Sequence, residues 1–342
     1  MLYYENLEEV IFGMHEMLTV EPDELIIISG YLGPSPIERL KEIPVKTTVI
    51  GGMYANGINE KLYNSLNKSK SENPNLKILF TTNEVHSKIY IWKKSNNVLR
   101  VLIGSANFSA NGLRSNIRET LAEVNRMALA PIDNYLKLVK DVSTETPIIK
   151  EKPIATATSE DDFGAPPIET IDGTIAEMPL SSGGKVQAKS GLNWGFQSGH
   201  GAEGDAYIAV YKETLRKSPK LFPAFDPKYE NEHSKKARQS PPIELIWDDG
   251  TIMSASLEGK QTLNGVDYPK QISSYSPTQP FLPDGTKISK KSILGRYLRN
   301  RLGVSVTHQI TMKDLVNYGR TTITLSLIEE GVYYADFSVK KS

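Results

Sequence analysis

Short apolar runs punctuate the first 140 residues, with polar stretches of helical spacing between them. Glu24–Tyr31 (ELIIISGY) predicts a strand that ends at a glycine, and Val45–Ile50 predicts a second strand ending at Gly51-Gly52. Leu62 and Leu66 share one face of a predicted helix over Ile58–Lys70, and Leu76–Phe80 predicts a third strand. Ser87–Trp92 and Val98–Ile103 read as a hairpin over the polar turn Ser95-Asn96-Asn97. A strand over Glu119–Val124 and a helix over Ile132–Val142 follow. Strands alternating with helices predict an α/β layer. The Gly51-Gly52 loop lacks Gly-Lys-Ser/Thr, so it reads as a turn and not as a phosphate-binding loop.

The pattern lapses from Ser143 to Gly184, a stretch with five prolines that reads as a linker. Its apolar bits, such as Ile168–Ile175, can still dock on a surface. The remainder follows a different rhythm. Ala206–Tyr211, Ile243–Ile246, Thr251–Leu257 and Thr321–Leu327 read as strands, separated by the turn signals Asp249-Gly250, Asn264-Gly265 and Asp284-Gly285. Tyr268-Pro269 reads as a turn. One amphipathic helix is predicted over Ser292–Leu302, stopped by Gly303. Short strands with a helix or two suggest a small, mainly-β barrel. The expected organisation is an α/β domain over 1–142, an acidic linker over 143–184 and a mainly-β pseudobarrel over 185–342.

Composition changes this picture in three places. The chain of 342 residues has no cysteine, which removes disulfides and thiolate metal sites and fits a reducing cytoplasm. No apolar run approaches the ~20 residues a membrane span needs, and the N-terminus has acidic residues where a signal peptide has basic ones. The net charge of zero hides an asymmetry. Residues 1–140 carry 16 Lys+Arg against 15 Asp+Glu, residues 141–182 carry 2 against 9, and residues 183–342 carry 22 against 16. A basic C-terminal part suits a polyanionic partner. His15, His233 and His308 have no ligand-spaced neighbours, and no carboxylate cluster suggests a metal, so no metal or other cofactor is expected.

The densest chemistry lies between His86 and Ser109, HSKIYIWKKSNNVLRVLIGSANFS. His86 and Lys88 stand two apart, so on a strand they share a face. The next apolar run ends in Gly104-Ser105-Ala106-Asn107, small polar donors on the adjoining strand. An imidazole nucleophile, an ammonium and these donors around one point suit a phosphate, whose charge grows in the transition state.

His-x-Lys followed by Gly-Ser-x-Asn resembles the signature of the phospholipase D superfamily. That resemblance implies His86 as nucleophile, with Lys88 and Asn107, helped by Ser105, on the phosphate oxygens. Lipid-acting members carry an aspartate five residues after the lysine, and here that position is Lys93. Nuclease members hold the histidine with a downstream glutamate, for which Glu119 is best placed and Glu123 is the spare. The chemistry of the family needs two such sets face to face. This chain has one, so the resemblance implies a two-fold homodimer through the N-terminal domain.

Two C-terminal stretches, GLNWGFQSGHGAEGDAYIAV from Gly191 and YPKQISSYSPTQPFL from Tyr268 on to Gly303, resemble one branch of that superfamily. Its members are type II restriction endonucleases that join the nuclease to a DNA-reading pseudobarrel of the plant B-three type. In that branch each stretch supplies a DNA-reading arm. Gln197, His200, Asp205, Gln271, Ser273, Ser274 and Tyr275 are polar groups on predicted loops, suited to base edges. Lys270, Lys290, Lys291, Arg296, Arg299 and Arg301 suit phosphates. Trp194 reads as core. The resemblance implies metal-independent, sequence-specific cleavage of double-stranded DNA through a covalent phosphohistidine. It leaves open a separate NTP-driven subunit as a further partner. A non-specific nuclease and a DNA-binding or regulatory subunit without cleavage are the alternatives.

Overall fold

The computed structural model describes residues 1–125, 129–150, 173–199, 201–226, 240–276 and 278–339. The chain divides into two compact units, Met1–Pro153 and Ile154–Ser342.

The first unit is an eight-stranded mixed sheet flanked by helices. Its strands are β1 (Leu2–Tyr3), β2 (Glu24–Ser29), β3 (Lys46–Gly51), β5 (Leu76–Thr81), β6 (Ile89–Lys94), β7 (Asn97–Gly104), β8 (Leu121–Glu123) and β9 (Ser143–Thr144). They lie in the order β1-β8-β7-β6-β2-β3-β5-β9. Strands β2, β3 and β5 are parallel, and β6 runs antiparallel to β2. Leu25, Ile26, Ile27 and Ile28 are all buried, because both faces of the central strand are covered. On one face Ile26, Ile28, Ile91 and Val101 pack against Ile132, Leu136 and Val139 of helix Leu129–Asp141. The hairpin β6–β7 closes on Ser95 and Asn96, both at positive φ (47° and 71°), the backbone a tight two-residue hairpin turn requires.

One expected boundary shifts in a way that matters. Strand β6 starts at Ile89, not at Ser87, because its ladder with β2 ends at Ile28–Ile89, where β2 gives way to the loop at Gly30. His86 and Lys88 therefore lie on the approach to the strand. Lys88 still accepts a ladder bond from the Gly104 N–H at 3.2 Å.

The second unit is a curled seven-stranded sheet. It comprises β11 (Ile175–Pro179), β12 (Tyr207–Ala209), β13 (Pro242–Trp247), β14 (Ile252–Leu263), β15 (Val266–Ser274), β16 (Thr322–Glu329) and β17 (Val332–Asp336). Their order is β11-β16-β17-β13-β14-β15-β12, and the two edge strands adjoin, giving a nearly closed barrel. Its interior holds Met178, Ile208, Leu245, Trp247, Leu257, Ile272, Leu325 and Tyr333, with Leu294 and Leu298 of the predicted helix Ser292–Leu302. That helix ends on Gly303, at φ 70°, as its sequence indicates.

Three departures from the apolar pattern are physical. Tyr268-Pro269 is not a turn but part of β15. Pro269 is tolerated because it lies beyond the residues 271–273 that pair with β12, so that pairing does not call on the N–H it lacks. The stretch without a pattern contains short strands: Ser143–Thr144 pairs with β5, β10 (Ile149–Lys150) pairs with β4 (Ile58–Asn59), and β11 pairs with β16. Such short segments are held by their partners and not by an alternation of their own. Helix Met312–Tyr318 has a Thr311–Asp314 capping box.

Candidate active site

The loop after β2 forms the floor of the site. A methyl group on Gly30 would lie 2.7 Å from His86 Cδ2, 3.2 Å from Lys88 Nζ and 3.2 Å from Asn107 Oδ1. The three side chains singled out in the sequence thus converge on one point, and the missing Cβ leaves the space. Lys88 is 6% exposed and donates through Nζ to the His86 carbonyl at 2.6 Å, while His86 itself is exposed. Asn107 is oriented by its amide oxygen, which accepts from the Tyr31 N–H at 3.2 Å and lies 3.5 Å from the Ser29 hydroxyl. With the oxygen engaged there, the Asn107 NH2 is left as the donor for the site. The Ser29 hydroxyl also accepts from the Phe108 N–H at 2.8 Å, tying β2 to the turn after β7.

Ser105 is exposed at the turn, and its hydroxyl accepts from the Thr120 N–H at 3.1 Å. Glu119 is half-buried beside it and meets Arg118 Nε at 3.9 Å. Among the described residues no hydrogen bond joins Glu119 to His86. Its charge acts instead on Lys88. Burial pushes the Lys88 ammonium below the ordinary lysine value, and the Glu119 carboxylate pulls it back up. Burial also raises the Tyr90 phenol, an effect to which Glu119 adds. Glu123 is engaged elsewhere, at 2.6 Å from Arg100 across the β7–β8 ladder. Lys93 pairs with Asp133 at 3.5 Å.

Sequence reasoning missed Ser29, Gly30 and Tyr31. Their one trace was the Ser-Gly-Tyr that ends the first apolar run. It also missed the latch behind the site. Arg114, after the short helix Ala110–Leu113, forks onto Glu8 at 2.6 and 2.8 Å and reaches Ser35 at 2.7 Å. Both partners of the ion pair are nearly buried.

The residues expected to read DNA separate by location. Lys270 is exposed, and Gln197, Gln271, Tyr275 and Arg296 are half-buried. Lys290 lies over the Tyr275 ring at 5.4 Å, Lys291 lies over Trp194 at 4.8 Å, and Arg296 pairs with Glu203 at 3.0 Å. Gln271, Ser273 and Ser274 belong to β15 and not to a loop. Asp205, Ser273, Ser274 and Arg299 are buried, against the expectation of surface positions. Asp205 closes its own loop by accepting from the Ala202 N–H, and Ser274 donates to the Lys290 carbonyl and accepts from the Leu294 N–H. The Arg299 guanidinium spends its donors on the carbonyls of His308, Gly295 and Leu192 and on Asn193 Oδ1. Arg301 is likewise held internally, forked onto Asp248 at 3.1 and 2.8 Å. His200 and His233 lie outside the described residues, as do residues 151–172 of the acidic linker. Among the described residues no three His, Asp or Glu side chains are grouped to hold a metal, and no helix is long and apolar enough to cross a membrane.

Two family models match the chain. One, described as the NgoFVII restriction endonuclease N-terminal PLD domain, matches residues 5–151, and the other, the NgoFVII C-terminal B3-like DNA-binding domain, matches residues 171–329. No curated protein compared with the chain matches it. Among solved structures it is similar to NucT from Helicobacter pylori, with 16% identity, a TM-score of 0.32, and coverage of 42% of this chain and 96% of that one. Polyphosphate kinase from Porphyromonas gingivalis is 17% identical, with a TM-score of 0.28 and coverage of 43% and 24%. Nuc from Salmonella typhimurium, a phospholipase D family member, is 12% identical, with a TM-score of 0.27 and coverage of 41% and 90%.

Proposed function

The chain belongs to the NgoFVII restriction endonuclease family, a phospholipase D-type nuclease joined to a B3-like DNA-binding domain, and from this premise we propose that it cuts duplex DNA at a specific sequence, without a metal ion, through a phosphohistidine on His86. The convergence of His86, Lys88 and Asn107 on the space over Gly30 carries this reading. An imidazole nitrogen of His86 attacks phosphorus, and the bond to the leaving oxygen breaks. His86 of the partner subunit gives that oxygen a proton, then takes one from the water that breaks the P–N bond. Lys88 and the Asn107 NH2, with Ser105 at the rim, hold the non-bridging oxygens. Glu119 favours the charged form of Lys88 against the effect of burial.

A second copy supplies the second histidine. Leu2 of β1 and Ile103 of β7 both stand opposite Ala122 of β8, so the three form one row across the sheet. Leu2 and Ile103 are 58% and 36% exposed, with Tyr4 and Ile117 exposed nearby. This apolar face, next to Ser105, supports a homodimer through the N-terminal unit. In the C-terminal unit the surface candidates Gln197, Lys270, Gln271, Tyr275 and Arg296 are the proposed DNA contacts. The cytoplasm is the proposed setting.

Incubating the protein with a long plasmid in EDTA, then sequencing the ends, tests the reading. Discrete fragments with common ends are expected. A smear favours a non-specific nuclease. A specific gel shift without cutting favours a DNA-binding subunit. Cutting only after an NTP and a second subunit are added would assign the chain to a larger assembly.

A further inference from the structure

We propose that Tyr31 is the platform on which the nucleoside beside the scissile phosphate packs, an inference that rests on the reading of His86 as nucleophile. Tyr31 follows the glycine that floors the site. Its backbone N–H orients Asn107, and its ring meets the His86 ring edge-on, with centroids 6.1 Å apart and planes at 77°. The ring also meets Tyr54 edge-on, with centroids 6.3 Å apart and planes at 86°. Tyr54 is itself fixed, 4% exposed and accepting from the Leu32 N–H at 2.9 Å. Tyr31, in contrast, is 37% exposed.

An exposed aromatic ring beside the nucleophile adds little to the core. It does present a rigid apolar surface at the mouth of the site. Lys88 and Asn107 account for the phosphate half of the substrate, and they offer nothing to the sugar and base that the phosphate carries with it. A ring one residue from the phosphate floor serves that half, because every base has a π-face that an aromatic side chain can meet. Such stacking asks the nucleotide to leave its neighbours at the moment of cutting. The substrate class that follows is duplex DNA locally unstacked at the scissile step.

The alternative is that Tyr31 only braces His86. The two roles separate in a cycle that pairs a protein change with a DNA change. End sequencing fixes the scissile phosphate. Single-turnover cleavage by the full chain is then measured on the cognate duplex and on duplexes in which the nucleotide on either side carries a tetrahydrofuran abasic residue. For wild type, removing the base on one side slows cleavage roughly 10- to 100-fold, the size of a lost base–aromatic stack. Tyr31→Ala slows the intact duplex by a similar factor, and the abasic residue then adds no further loss. Tyr31→Phe, which keeps the ring, restores sensitivity to the abasic residue. All variants retain the Tyr31 backbone N–H, so Asn107 stays held, and thermal unfolding checks that each is folded. Fully multiplicative losses, or no loss from either change, overturn the platform while leaving His86 as nucleophile. Wild-type cleavage that survives His86→Ala overturns both readings.

Discussion

Gly30 is where backbone and chemistry are closest. A Cβ there would press within 2.7 Å of the imidazole and crowd Lys88 Nζ and Asn107 Oδ1, each 3.2 Å away, so Gly30→Ala is expected to displace His86 and fill the proposed phosphate position. The loss in cleavage rate should be roughly 100-fold, the effect of misplacing a reacting group by about an ångström. DNA binding by the C-terminal unit stays unchanged in a gel-shift titration. Lys88 carries a pH prediction. Burial lowers its proton affinity and Glu119 raises it, so the ammonium is lost below the pH at which an exposed lysine deprotonates. Glu119→Gln removes the raising influence. The alkaline limb of the pH–rate profile should therefore move to still lower pH. A limb that stays in place, or moves up, would detach Glu119 from Lys88. His86, Lys88 and Asn107 were legible because their spacing is short and local. Ser29, Gly30 and Tyr31 were not, since their role comes from a strand 78 residues away from Asn107 that the fold lays alongside.

Helix Ser292–Leu302 shows what an element's sequence reveals and what it hides. Its span and its glycine stop followed from local pattern, because capping is a property of neighbouring residues. The direction of its arginines did not, because that depends on what packs against the helix. Arg296 faces outward to Glu203, whereas Arg299, one turn on and 1% exposed, points into the carbonyls of the Gly191–Phe196 segment and the loop before Met312. Burial holds its guanidinium below the ordinary arginine value, which marks a charge kept by hydrogen bonds and not by solvent. Arg299→Ala would leave those acceptors unpaired, with an expected loss of about 3 kcal/mol of stability. Denaturant unfolding of the full chain would read this as a lower midpoint for the C-terminal unit. Arg296→Ala should instead leave the midpoint within about 0.5 kcal/mol and weaken DNA binding. The opposite pattern would return Arg299 to the DNA surface. Strand β15 escaped notice for a related reason. A proline is legal in a ladder only where one side lacks a partner, and the sequence does not display partners.

At the scale of the whole molecule, the change from an α/β rhythm to a β rhythm announced two units, and the single combined set of His-x-Lys and Gly-Ser-x-Asn underlies the proposal that a second copy completes the active site. The surface proposed to join the two copies was not legible, because Leu2, Ile103 and Ile117 are far apart in sequence and meet only through β1, β8 and the bond from the Ile117 N–H to the Tyr4 carbonyl. Ile117 adds an independent sign. It is an exposed β-branched residue held at φ 70°, a backbone such side chains avoid, two residues before Glu119. Strain of this kind, on the order of 1–3 kcal/mol, persists where surroundings fix it, and it gathers at functional sites. If this face joins two copies, placing carboxylates on it should part them, since each would be buried without a partner at a penalty of several kcal/mol per ion. The full-length Leu2→Asp, Ile103→Asp variant is expected to sediment as a monomer at concentrations where wild type is a dimer. Its cleavage should fall at least 100-fold, because no second His86 is present to protonate the leaving oxygen, a role worth roughly 10²–10⁴-fold. Sequence-specific binding, which belongs to the other unit, should persist with its steep dependence on salt. A variant that remains dimeric and cuts normally would move the interface elsewhere, and a monomer that cuts normally would remove the need for the second histidine.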